Sequence, residues 1–453
     1  MVDVTPATSA PPPDPAAILR SRDFVKLLVL AAVIGVVVSL VGWAFLELVH
    51  SIQVWVYTDL PSGLGLDPVP SWWAMPICLL AGLPVAFAIA RLPGNGGHVP
   101  ANGLTLGATK PNMVPGVALA AVASLGLGLV VGPEAPLVAI GMGVAVYTVQ
   151  RAKRDAASTL VLVIGSAGAF AAISTLFGSP IVAAILIIEV SGLGGATLPL
   201  ILIPGLIAAG IGSLVFIGMA NWSGLSTAAY SMPPVQLPPL GNPTLGEFAW
   251  TIALGIAAAL LTYPLRRIGL RVAARAAHRL YLVIPAAGFV VGALAWFFVQ
   301  VTDKSANLVL FSGQESLGPL VSSASGYTVA TLLVLLLCKG IAWSVSLGSF
   351  RGGPTFPAMF IGAAGGIAAS HLPGLPMSAA VPVGMGVMIV AYLRIPLSAV
   401  VIASVLCTSA GAGASPLVIV GVVVAYLATL GLEGRLGKDA KTGTSEPAAA
   451  DHP

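Results

Sequence analysis

Glu134 is the residue most able to do chemistry in this sequence. It is the only charged side chain between Lys110 and Arg151, and it sits in Gly132-Pro133-Glu134-Ala135-Pro136, just before the apolar stretch Leu137-Val138-Ala139-Ile140-Gly141. Proline is favoured in the first turn of a helix, where its missing N–H is not needed. Gly-Pro-x-x-Pro ahead of an apolar run therefore reads as a loop turning into a helix start. A helix start carries free N–H groups and about half a positive charge, which suits an anion. A charge at the middle of a bilayer costs roughly 2.5–3.5 kcal/mol, so such a residue usually lines a pathway. A carboxylate at that place occupies an anion's position and can leave on protonation or displacement, which would make it a gate. The plainer reading is a capping glutamate with no role in transport.

A second segment matches the first. Gly353-Pro354-Thr355-Phe356-Pro357-Ala358-Met359-Phe360-Ile361-Gly362 repeats its Gly, Pro, Pro, Ile and Gly at a constant offset of 221 residues. Ser179-Pro180-Ile181-Val182-Ala183 and Ile395-Pro396-Leu397-Ser398-Ala399 form another pair, 216 residues apart. Apolar segments interrupted by Gly and Pro at corresponding places in two halves point to the binding site of a transporter or related pore. If the halves are inverted, two helix starts converge inside the membrane and make an anion site. Cations would need rings of carbonyls or carboxylates, and no run of Asp or Glu is present.

Glu189 is the only charged side chain between Asp155 and Glu247. Spacing leaves two roles open for it: a proton relay, or a carboxylate bonded to a neighbouring helix end. His98 lies in Gly96-Gly97-His98-Val99-Pro100, a third Gly/Pro element, or else is a loop imidazole near the membrane surface. Trp72 and Trp73 read as an interfacial anchor. Cys78, Cys338 and Cys407 each stand alone in apolar runs, which suggests packing thiols and neither a disulfide nor a metal site. No nucleophile–base pair stands out, so neither an enzyme nor a cofactor is expected.

The composition says what must position these groups. Of 453 residues 57% are hydrophobic and 8% are charged, against about 25% charged in soluble domains. That excludes an ordinary soluble enzyme, a nucleic-acid binder and a disordered chain. Long apolar runs such as Leu27–Leu48, Val114–Val131 and Leu280–Val299 predict membrane-spanning helices. Runs of 8 to 14 residues, such as Ile181–Ile188, predict broken or re-entrant helices with ends buried in protein. The expected fold is all-α: a polytopic transmembrane domain over 23–435, with halves at about 23–222 and 245–435. Disordered tails are expected at 1–22 and 436–453. Basic residues cluster at Arg20, Arg22 and Lys26, in a loop at Arg151, Lys153 and Arg154, in another from Arg266 to Arg279, and at Arg435, Lys438 and Lys441. The positive-inside rule puts these, and both termini, in the cytoplasm of a plasma-type (inner) membrane.

At these residues the chain resembles the CLC family of chloride channels and chloride–proton antiporters. Gly132-Pro133-Glu134-Ala135-Pro136 is similar to the family motif that holds its gating glutamate, Gly352-Gly353-Pro354-Thr355-Phe356-Pro357 to its Gly-Gly-x-Phe-x-Pro motif, and Gly96-Gly97-His98-Val99-Pro100 loosely to its Gly-Ser-Gly-Ile-Pro motif. The likeness runs from Phe24 to about Leu432. It implies a homodimer in the lipid bilayer, with an inverted repeat and a separate anion pore in each subunit. It implies Glu134 as the gate. It implies an anion, chloride or similar, bound near Gly97, His98, Glu134, Ala135, Thr355 and Phe356, and protons as a second substrate if the protein is an antiporter. Several positions depart from the family pattern. Gly97 stands for the anion-contacting serine, Pro354 removes an N–H, Phe356 is one place late, and only Tyr426, inside the last run, stands near the place of the pore tyrosine. Val190 follows Ile187-Ile188-Glu189 where antiporters carry their proton-transfer glutamate, which resembles the channel branch. The expected function is therefore passive anion conduction, with proton-coupled exchange as the alternative. A non-transporting membrane scaffold is the reading from another class. An organic-anion carrier would place an arginine in the pathway, and the repeat motifs hold none.

Overall fold

The computed structural model describes residues 19–104, 109–154, 157–192, 194–195, 198–223 and 234–442, and these are helical or loop, with one isolated backbone bridge. Helix α1 (Arg22–Val54) starts where the Ser21 hydroxyl accepts from the N–H of Phe24, and it continues through Trp55–Asp59 to Gly63. Then follow α2 (Ala74–Arg91), α3 (Val114–Gly126), α4 (Glu134–Ala152), α5 (Ser158–Phe177), α6 (Pro180–Ser191) and α7 (Leu198–Ser223). The second half is α8 (Leu245–His278), α9 (Leu280–Thr302), α10 (Gln314–Ser322), α11 (Val329–Ser349), α12 (Thr355–Ala369), α13 (Met377–Leu393), α14 (Pro396–Leu406) and α15 (Ala414–Thr442). Among the described residues nine helices are long and apolar enough to cross a membrane, and α6, α12, α13 and α14 are shorter apolar helices. The fold is that of a polytopic all-α membrane protein.

Part of the first half recurs in the second. Helices α4, α5 and α6 have counterparts in α12, α13 and α14, and one close crossing is duplicated. A Cβ added to Gly141 or Gly168 would strike the other's carbonyl oxygen, so α4 and α5 touch backbone to backbone. Gly362 and Gly384 do the same for α12 and α13. Lipid tails are as apolar as leucine and give helices little hydrophobic reason to associate, so packing between small residues holds such pairs together. Side chains of α12 and α13 are almost wholly buried, which puts the second motif at the centre of the protein.

The structure corrects three expectations. The run Val114–Val131 is not one helix: α3 ends at Gly126, and Gly128, with φ 96°, turns the chain toward Glu134. The basic loop from Arg266 to Arg279 is mostly helix, since α8 runs to His278 through Pro264. Arginine is a good helix former, and Gly269, the one glycine in the stretch, lies against the Ser344 carbonyl of α11. The last helix extends to Thr442, so the tail expected from 436 is helical in its first residues; no proline interrupts it there. Most of the expected N-terminal tail and residues 443–453 lie outside the described residues.

Candidate anion site

The two Gly-Pro motifs meet. Gly132 donates its N–H to the carbonyl of Gly353 at 2.7 Å, and Gly353 donates back to Gly132 at 2.6 Å, as an antiparallel bridge. Repeat-mates thus pair with each other across a local two-fold. Two hydroxyls brace this joint in the same crossed fashion: the Ser346 Oγ accepts from the N–H of Val130 at 3.2 Å, and the Ser124 Oγ accepts from the N–H of Arg351 at 3.1 Å. Helices α4 and α12 begin two residues beyond the bridge, at Glu134 and Thr355.

Prolines decide which donors these helix starts keep. Pro133 and Pro354 precede the first helical residues, and Pro136 and Pro357 sit two residues into the helices; none has an N–H. The N–H groups of Leu137 and Ala358 are already taken by the carbonyls of Pro133 and Pro354. The first turns therefore offer the N–H groups of Glu134 and Ala135 on one helix, and of Thr355 and Phe356 on the other.

The Glu134 carboxylate lies among them, fully buried. Its Oε1 accepts from the N–H of Thr355. The N–H groups of Glu134 and Phe356 and the Thr355 hydroxyl lie near enough to act on the charge, yet neither Oε2 nor the Thr355 Oγ1 has a hydrogen-bond partner among the described residues. No basic side chain pairs with it there. The bridge glycines make the space: a Cβ on Gly132 or Gly353 would fall on the Glu134 carboxylate. The Phe356 ring points away and stacks on Phe177, with centroids 5.1 Å apart.

Two cavities approach the bridge. One, of about 180 Å³, reaches Pro133 and is lined by polar groups that include Gln53, Tyr57 and the His50–Glu315 pair. The other, of about 210 Å³, reaches Ala135, Pro136 and Gly352 and is lined by the third motif. Gly97 and His98 border this second cavity, but neither is a free donor. The Gly97 N–H goes to the carbonyl of Gly94 at 2.8 Å, and the His98 Nε2 bonds the carbonyl of Gly103 at 2.8 Å. Burial holds the His98 imidazole below its ordinary pKa; the Gly103 bond opposes this and the charge of Arg351 adds to it.

Sequence reading missed Arg351, which immediately precedes the second motif and borders the Gly97 cavity while only 7% exposed. It also missed Lys339 on α11. That ammonium is fully buried and donates to the carbonyls of Leu308, Val309, Leu310 and Phe311 at 3.0 to 3.3 Å, which pins the loop bearing Phe311 at the Pro133 cavity. A lone lysine in an apolar run and an arginine beside a Gly-Gly pair were the available signals.

Glu189 stands away from the bridge. From the end of α6 it crosses to the start of α14, accepting from the N–H groups of Leu397 at 2.9 Å and Ser398 at 2.6 Å and from the Ser398 hydroxyl at 2.6 Å. It supplies what the orphan donors of a helix start lack, across the repeat boundary. Hydrogen bonds to a charged group contribute about 1.5–3 kcal/mol. Glu189→Ala is therefore expected to lower stability by about that amount, read as a fall in the Tm of the purified protein. An unchanged Tm would remove this role.

The description "voltage gated chloride channel" belongs to the family model that matches residues 101–430. Among curated proteins, one named "Putative ion-transport protein YfeO" from Escherichia fergusonii is 27% identical over 367 residues, covering 79% of this chain and 82% of that protein. Its namesake from Salmonella paratyphi A is 28% identical over 369 residues, covering 79% and 84%. Solved structures share the fold at lower identity. A slow cyanobacterial chloride–proton antiporter aligns with a TM-score of 0.72 at 19% identity, over 93% of this chain and 99% of that one. A CLC-type fluoride/proton antiporter aligns at 0.60 and 18%, over 89% and 95%. With its paired Gly-Pro helix starts and a match over most of its length, this chain belongs to the voltage-gated chloride channel (CLC) family of ion-transport proteins.

Proposed function

We propose that the protein conducts small inorganic anions, chloride or a similar ion, through a path inside each subunit, and that Glu134 gates that path. The observation that carries this reading is the buried Glu134 carboxylate accepting from the first-turn N–H of Thr355 on the facing helix, with no ion-pair partner among the described residues. An arriving anion and the carboxylate need the same donors, so only one of them occupies the site at a time. Protonation or displacement of Glu134 frees it. Passive conduction is the first reading, because Val190 stands beside Glu189 where a second acid would serve proton transfer, and the Glu189 carboxylate is committed to α14. Proton-coupled exchange is the second reading. It is favoured by the site itself, where a proton and an anion displace one another at a single carboxylate.

The basic residues near Arg22 and after the last span support cytoplasmic termini in a plasma-type membrane. Two subunits, each with its own path, follow from the family resemblance. Reconstitution tests the reading. Purified protein in liposomes is expected to pass chloride, bromide, nitrate or fluoride down a gradient without moving protons uphill. Uphill proton movement driven by an anion gradient would replace conduction with exchange. Absence of flux for every one of these ions, together with no calorimetric binding, would leave the scaffold reading.

A further inference from the structure

The Gly97 cavity contains a charge that the protein leaves unanswered. The Arg351 guanidinium is more than nine-tenths buried. Its Nε donates to the carbonyl of Asn95 at 3.4 Å and its Nη1 to the carbonyl of Phe350 at 3.3 Å. Its backbone is fixed by the Ser124 hydroxyl. Its Nη2 has no hydrogen-bond partner in the protein among the described residues. Neither Asp nor Glu lines the cavity, and Arg351 has no ion pair among the described residues. A buried charge is tolerated when it is paired, and an unpaired one costs several kcal/mol.

The surroundings are shaped for a small guest. Gly96 and Gly97, at φ 69° and 102°, curl the loop over the arginine stem, and a Cβ on Gly96 would touch its Cγ at 3.6 Å. The cavity of about 210 Å³ has room for an ion and several waters, at about 30 Å³ per water. The loop itself gives the guest little, since Gly97 has no hydroxyl and its N–H is spent on Gly94. The cavity also touches Ala135, a donor of the first helix start, so a guest beside Arg351 is next in line for the site that Glu134 fills.

We propose that Arg351 supplies the positive charge for the anion in the Gly97 cavity, where this chain has no hydroxyl at Gly97, and that its guanidinium sets the preference among anions. This rests on the anion-transport reading above and assigns a specificity-determining residue to it. A guanidinium presents directional N–H groups, whereas an ammonium is a compact point charge, so the two should rank a planar oxyanion and a spherical halide differently.

The test measures bromide and nitrate uptake against concentration, in liposomes, for the wild type, Arg351→Met and Arg351→Lys. In Arg351→Met the half-saturating concentration is expected to rise about 10-fold or more, as for a lost charge-assisted contact. Arg351→Lys is expected to keep the half-saturation near that of the wild type while changing the bromide-to-nitrate ratio. A purely structural role would lower the yield of active protein without moving that ratio. Half-saturation within about twofold of wild type in Arg351→Met, with the same ratio, would overturn the proposal. If that variant does not fold, an unchanged ratio in Arg351→Lys overturns it equally. Wild-type protein that carries no anion at all would overturn the transport reading first, before any Arg351 variant is compared.

Discussion

Replacing Glu134 with Ala is expected to raise anion flux about 10-fold and to abolish its dependence on pH. The carboxylate competes with the anion for the donors of Thr355 and Phe356, and one charge-assisted hydrogen bond of about 1.5 kcal/mol corresponds to a factor of about ten in occupancy. Glu134→Gln tests the charge separately from the bulk. Its amide cannot lose a proton and is a weaker acceptor, so it should leave the site more readily than the carboxylate at neutral pH. Flux should then resemble that of wild-type protein in acid, where Glu134 is protonated. Flux that is unchanged in both size and pH dependence, measured on liposomes loaded with equal amounts of protein, would remove Glu134 as the gate.

The second large effect comes from a residue with no functional group. In Gly353→Ala the new methyl would lie only 2.0 Å from the Glu134 carboxylate carbon, and the three atoms nearest to it all belong to the Glu134 side chain. The cheapest relief is for the flexible glutamate to leave. The variant should therefore behave as if the gate were held open, with flux raised and pH dependence lost. The double variant separates this from simple damage. With Glu134→Ala already in place the three atoms nearest the methyl are gone, so adding Gly353→Ala should change flux by less than about twofold. Such non-additivity is the mark of two residues acting through one contact. Independent effects that multiply would show that Gly353 disturbs the bridge itself. Gly132→Ala, whose added methyl would fall on the other carboxylate oxygen, is expected to follow the same pattern.

The parts of this site that were legible in the sequence are those fixed by local chemistry. Gly-Pro-x-x-Pro specifies a helix start wherever it folds, so Glu134 and Thr355 are found at the first positions of α4 and α12, as the repeated prolines imply. An isolated carboxylate amid apolar residues also announces itself. What could not be read was partnership at a distance. Nothing local says that Ser124 and Ser346 reach across to the opposite motif, that Glu189 ends against α14, or that the Arg351 guanidinium turns into the Gly97 cavity. Each depends on how the halves dock. The helical pattern misled where polar residues sit on a helix end: arginines on α8 read as a loop because a spanning segment is expected to stop at its first charges, yet such side chains extend past the apolar layer while the backbone stays coiled. The third motif was found by its glycines. Their effect is to bend the loop away from donating, so the cavity they border needs its positive charge from elsewhere.

The reciprocal pairing of Gly132 with Gly353 also limits how this protein can move. It rivets the two halves together within two residues of the carboxylate, through hydrogen bonds of 2.7 and 2.6 Å. Any swing of one half against the other that pivots elsewhere would have to break both of these hydrogen bonds beside the carboxylate. On the proposed reading, transit is expected to need displacements as small as a single rotamer change, while the scaffold on either side stays put. A carrier that exposes its cargo by rocking whole bundles would not be stitched at that spot.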